Sequence, residues 1–168
     1  MRSGLLTEAT LYDEVVLAIR SELPDTADAD QVARSWIAEY RDELASEQQT
    51  WPETTDYDRL QEAFAELEGA DIAVLQGCED HWTAKDLLEE RGAGGNPPRG
   101  VAWFTPPDVW HAIDEGMLEV NVWHPTTANV APGDPLLDEV VAVLERHGLA
   151  AHYDEGRVEV SAHWHRRL

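Results

Sequence analysis

Cys78 and His81 stand three residues apart at a strand-to-helix junction. That spacing suits a thiolate–imidazole nucleophile pair, or half of a metal site. No third ligand follows them, and a small residue filling a turn beside a solvated histidine is the commoner explanation. Cys78 is the only cysteine, which excludes an internal disulfide and a multi-cysteine zinc site. His163 and His165 alternate with Trp164 near the end of the chain. In extended backbone both imidazoles point to the same face as His152, Glu159 and Ser161, and two imidazoles with a carboxylate suit a divalent metal. Arg166 and Arg167 beside them repel a cation, so the expectation is no metal and no cofactor. The glycines of 92–95 follow a helix and precede a strand, the reverse of a dinucleotide fingerprint. No P-loop, G-x-S-x-G elbow or H-E-x-x-H motif occurs.

A ligand site can still arise from topology. If the first three strands run parallel, their carboxy ends share one edge of the sheet, where α/β proteins bind ligands. That edge collects Cys78, Asp80, His81 and Trp82, then Thr105 and Asp108, then His124, Thr126 and Thr127. The candidate ligand-binding residues are Asp80, His81, Trp82, Asp108, Trp123 and His124. Asp80, His81, Asp108 and His124 supply polar groups, and Trp82 and Trp123 supply walls. The chain has seven tryptophans. Trp36 reads as core, and Trp82, Trp103, Trp110 and Trp123 lie near strand–helix junctions.

The elements that must position these residues follow from periodicity. Leu11, Val15, Ala18 and Ile19 have helical spacing, with Thr10 and Asp13 as a capping box and Pro24 as the stop. Asp28 caps a second helix, in which Val32, Trp36, Tyr40 and Leu44 step by four. Thr55 and Asp58 form a capping box for a third helix, with Leu60, Ala63, Phe64 and Leu67 inward. Residues 72–75 read as a buried strand, Thr83 as the cap of the next helix, and 100–104 as a second strand. Thr105-Pro106-Pro107-Asp108 starts another helix. Residues 117–123 alternate as a half-exposed strand, and Asp134-Pro135 opens the last helix. A two-residue turn at Glu155-Gly156 pairs Tyr153 with Val158, Ala151 with Val160 and His152 with Glu159. The fold class is therefore α/β: a mixed sheet of about five strands with flanking helices and a C-terminal hairpin, preceded by a helical pair. Residues 1–50 read as a helical appendage and 51–168 as the α/β domain.

Charge bounds the function. Twelve basic residues face 34 acidic ones, a net charge of −22. The acids are spread over the whole length, with no detachable tail, and Lys85 is the single lysine. This argues against direct binding of nucleic-acid phosphates and against docking on anionic membrane. No apolar run is long enough to span a bilayer, and residues 1–11 lack the core of a signal peptide, so the expected location is cytoplasmic. Two helices carry stripes of like charge, Glu39, Glu43 and Glu47, and Asp58, Glu62 and Glu66. Such stripes cost a few tenths of a kcal/mol per pair, so they are tolerated by solvent or used by a partner. The leading expectation is a non-enzymatic protein-binding or regulatory module whose acidic surface meets a basic protein. The alternative is a small-ligand binder or small enzyme at the sheet edge.

Three stretches carry a family resemblance. They are residues 58–67 followed by Ile72, Val101-Ala102-Trp103-Phe104-Thr105-Pro106-Pro107-Asp108, and Trp164-His165-Arg166-Arg167. Together, from Asp58 to Arg167, they resemble an uncharacterised bacterial domain family, domain of unknown function 6891. The resemblance implies one α/β domain and carries no activity with it.

Overall fold

Side-chain oxygens decide where the helices begin. The computed structural model describes residues 1–168, with α1 (Glu8–Glu22), α2 (Ala29–Gln48), α3 (Asp56–Gly69), α4 (His81–Ala93), α5 (Pro106–Asp114) and α6 (Pro135–Arg146). Asp28 caps α2 through the N–H of Gln31, and Thr55 and Asp58 cap α3 reciprocally, as their spacing predicts. Two starts lie three residues earlier than expected. Thr7, not Thr10, caps α1, its hydroxyl accepting the N–H of Thr10. Asp80, not Thr83, caps α4, because its carboxylate takes the N–H groups of both Trp82 and Thr83. No helix is long and apolar enough to cross a membrane.

The chain divides into two compact units, Met1–Glu53 with His165–Leu168, and Thr54–Trp164. In the first, Val16 and Ile19 of α1 pack on Ala29 and Ala33 of α2. Asp30 ties the pair together, accepting from the Tyr12 hydroxyl at 2.7 Å and Arg20 at 2.9 Å. The alanines let the two backbones approach, and this sets the buried line of α2 along Ala29, Ala33 and Leu44. Trp36 and Tyr40 fall off that line. Trp36 is 48% exposed, so it is a surface residue and not the core residue its spacing suggests. Trp51 stacks on His165 at 4.5 Å, and Arg167 donates to the Pro52 carbonyl.

The second unit holds the sheet: β1 (Ile72–Leu75), β2 (Gly100–Trp103), β3 (Met117–Trp123), β4 (Ala151–Asp154) and β5 (Arg157–Ser161), in the order β1-β2-β3-β5-β4. The hairpin register matches the sequence reading at all three expected pairs. Its turn places Glu155 and Gly156 at φ 42° and 97°, the left-handed geometry that suits twisted strands. Alternation then sorts the layers. Ala73, Val101 and Trp103 face α4, meeting Ala84 and Leu88. Phe104 and the cross-strand set Leu118, Val120 and Val122 face the opposite side, where Phe64 of α3 meets Phe104 at 5.8 Å. Gly100 sits so close to Leu136 and the Trp123 carbonyl that an added Cβ would lie 2.6 and 2.9 Å from them.

Only β1 and β2 run parallel; β3 is antiparallel to β2, with Trp103 opposite Asn121 and Val101 opposite Trp123. The first half of β3 therefore overhangs the carboxy end of β2. The short α5 packs on β3, with Val109 and Ala112 buried, and does not return along the sheet as a parallel crossover requires.

Phe104 is fully buried and also meets Trp164 edge-on at 5.9 Å. Phe104→Ala should destabilise the second unit by about 3–5 kcal/mol, read from the midpoint of urea unfolding.

Candidate functional site

The antiparallel β3 splits the expected sheet-edge site into two places. At the carboxy ends of β1 and β2 the chain laces tightly: Phe104 N–H donates to Leu75, and Cys78 N–H donates to Phe104 at 3.0 Å. This brings Cys78, Asp80, His81, Trp82, Thr105 and Asp108 to one end. The Cys78 Sγ lies 3.5 Å from the Phe104 carbonyl and 3.6 Å from that of Asp80, so its one proton has an acceptor on either side. Burial pushes this thiol above its ordinary range, and the nearby Asp80 and Asp108 carboxylates add to the effect. A thiol so placed is the opposite of an activated nucleophile.

Both carboxylates here have structural work. Asp80 caps α4. Asp108 is buried, and one of its oxygens accepts both the Thr105 N–H and hydroxyl at 2.7 Å. His81 lies against Trp82 at 4.7 Å, and the Lys85 ammonium sits 4.9 Å over the same indole, which is 53% exposed.

Trp123 and His124 lie at the other end of the sheet, opposite the start of β2. Trp123 meets Trp103 edge-to-face at 4.9 Å. His124 Nε2 lies 2.6 Å from Asp134, whose other oxygen accepts the Leu136 N–H at 2.9 Å. These two bonds, the helix N–H first, hold the Asp134 carboxyl below the usual range. The sequence marked Asp134 as a cap. Its bond to His124 depends on how the loop between β3 and α6 folds, and no spacing signals that.

The histidines near the chain end diverge. The His163 ring lies against Gly116 in the second unit, and His165 stacks on Trp51 in the first. No group of three or more His, Cys, Asp or Glu side chains could hold a metal ion. On the open face of β3, β5 and β4, Glu119 stands opposite Glu159, and Glu159 lies 3.4 Å from His152. Arg157 reaches Glu119 at 2.8 Å. Glu119, Arg157 and Glu159, with Asp154 and Glu155, surround a hollow of about 180 Å³.

The two acidic stripes differ in use. On α3, Asp58 serves the cap, while Glu66 pairs with Arg146 and His147, and Glu62 lies 3.4 Å from His147. On α2, Glu47 pairs with Arg2, whereas Glu39 and Glu43 face solvent beside the exposed Trp36 and Tyr40. The basic side chains are all engaged within the chain. Arg2, Arg20, Arg41, Arg59, Lys85, Arg91, Arg99, Arg146 and Arg157 each pair with a carboxylate. Arg34 lies over the Tyr12 ring, Arg166 packs on Gly4, and Arg167 bonds to Pro52.

The family described as domain of unknown function (DUF6891) matches residues 1–168, the whole chain, helical pair included. The chain belongs to the DUF6891 family. No curated protein and no solved structure matches it.

Because its thiol is shifted upward, Cys78 should react with iodoacetamide at neutral pH well below the rate of free cysteine, and should accelerate only above the ordinary thiol range. The Glu66 carboxyl is held low by Arg146 first and then His147. A depressed carboxyl stabilises the fold above its unfolded pKa of about 4.3 and loses that effect as pH falls through the folded value. Glu66→Gln should therefore lower Tm at pH 7, and the gap from the unmodified protein should close below about pH 4.

Proposed function

We propose that the protein is a non-enzymatic binding module whose acidic surface recruits a basic protein. The observation that carries this reading is the engagement of every basic side chain within the chain, set against a net charge of −22. The cations are held by local partners, and the surplus carboxylates face solvent. Such a field attracts a positively charged surface and speeds its encounter. Glu39 and Glu43 with Trp36 and Tyr40 offer, on one side of α2, both carboxylates and aromatic faces for Arg and Lys. The same field disfavours direct contact with nucleic-acid phosphates, and a nucleic-acid-binding protein is one kind of basic partner it suits. The lone unpaired thiol suits a reducing compartment, and we place the protein in the cytoplasm.

A second reading, a small-ligand binder or small enzyme, draws on His124. A carboxylate at 2.6 Å orients an imidazole in the way a general base needs.

Pull-down from a lysate at low salt, with elution at high salt, tests the first reading. Retained proteins should be basic, and Glu39→Lys/Glu43→Lys should reduce their recovery about tenfold, since reversed charge repels. Recovery of no basic protein would leave the acidic surface as a solubility device.

A further inference from the structure

Of the two edge strands of the sheet, β1 and β4, the second lies beside acidic side chains that suit such a partner. In the β4–β5 hairpin the two-residue turn makes Asp154 and Arg157 a hydrogen-bonded pair, and the Ser161 N–H donates to Ala150. The bonded pairs are therefore 154/157, 152/159 and 150/161. The N–H and C=O of Ala151 and Tyr153 point the other way, off the edge. The sheet order ends at β4, and nothing in the chain bonds to these groups. The four-residue β4 carries no proline or lysine, and Asp154 is its one acidic residue.

The face beside the edge is acidic. Asp154 lies on β4 itself, and Glu155, Glu159 and Glu119 surround the adjoining hollow. Arg157 already occupies Glu119, and Asp154 and Glu155 have no cation of their own. A second copy is a poor occupant, because each chain brings a net charge of −22 and its own basic residues are engaged. A strand added here places alternate side chains beside His152 and Asp154, and the intervening ones beside the half-buried Ala151 and Tyr153.

We propose that β4 is a docking edge for an extended segment of a basic partner, alternating basic and apolar residues, which adds as a sixth strand beside Ala151–Asp154. This rests on the acidic-module reading and specifies where and in what conformation the partner binds. Backbone bonds to Ala151 and Tyr153 give affinity, and Asp154, Glu155 and Glu159 select for positive charge.

The test uses a peptide of about eight residues alternating lysine and valine, titrated into the full-length protein at low salt with backbone amide exchange followed by NMR. Binding should protect the Ala151 and Tyr153 amides. Ala151→Pro removes only an outward-facing donor, a change that edge strands tolerate, and should weaken binding at least about tenfold while the remaining amide spectrum stays native. Glu159→Gln should weaken it and flatten the salt dependence. Salt-sensitive binding that ignores Ala151→Pro and leaves both amides unprotected would overturn the docking edge while the acidic-module reading stood. Absence of binding by this peptide and by any basic protein would remove both. A dimer of the unmodified protein that Ala151→Pro converts to monomer would make a second copy the occupant and overturn the proposal.

Discussion

Strand β3 is seven residues long, and neither neighbour is long enough to cover it. β2 pairs with its carboxy half and β5 with its amino half, so the sheet is staggered about one central strand. Leu118, Val120 and Val122 all point to one face, and burying that row is what the surrounding elements do. α5 packs on β3, and Ala162 and Trp164 follow β5 to bond with Gly116 and Ala112. Had β3 paired in parallel with β2, its carboxy end would lie beside Asp80 and Asp108. Antiparallel pairing sends His124 to the far end.

The scarcity of cations has a comparable reach. With 12 bases among 34 acids, each arginine can neutralise only part of its surroundings. The stronger positions are the ones that join elements: Arg99 to Glu139 with two bonds at 2.9 and 2.5 Å, Arg146 and His147 to the α3 stripe, and Arg91 to Asp71 at 2.9 Å. Exposed pairs of this kind contribute little singly. Their effect here is one of distribution, since they settle which carboxylates are masked and which remain toward solvent. The α3 stripe is partly neutralised by α6, whereas Glu39 and Glu43 of α2, and Asp154 and Glu155 beside the hairpin turn, have no ion pair.

The two carboxylates nominated for chemistry, Asp80 and Asp108, serve helix starts, as does Asp134. Each accepts a backbone N–H there, and a carboxylate so engaged has fewer lone pairs free for a ligand. Of the three, Asp134 alone also reaches a histidine.

Local physics made much of this legible without coordinates. The caps at Asp28, Thr55 and Asp134, the inward row of α3, the alternation of β3 and the register of the β4–β5 hairpin all follow from contacts within a few residues, where period and turn chemistry leave one answer. The sequence by itself also determined the net negative charge and the lack of P-loop, G-x-S-x-G and H-E-x-x-H motifs. What only the tertiary structure decided are the relations between elements: the direction of β3, the exposure of Trp36, the bond from His124 to Asp134, and which acids find a base. A helical period has several plausible apolar lines, and on α2 it is the packing of α1 on two alanines that selects one of them and turns the tryptophan outward.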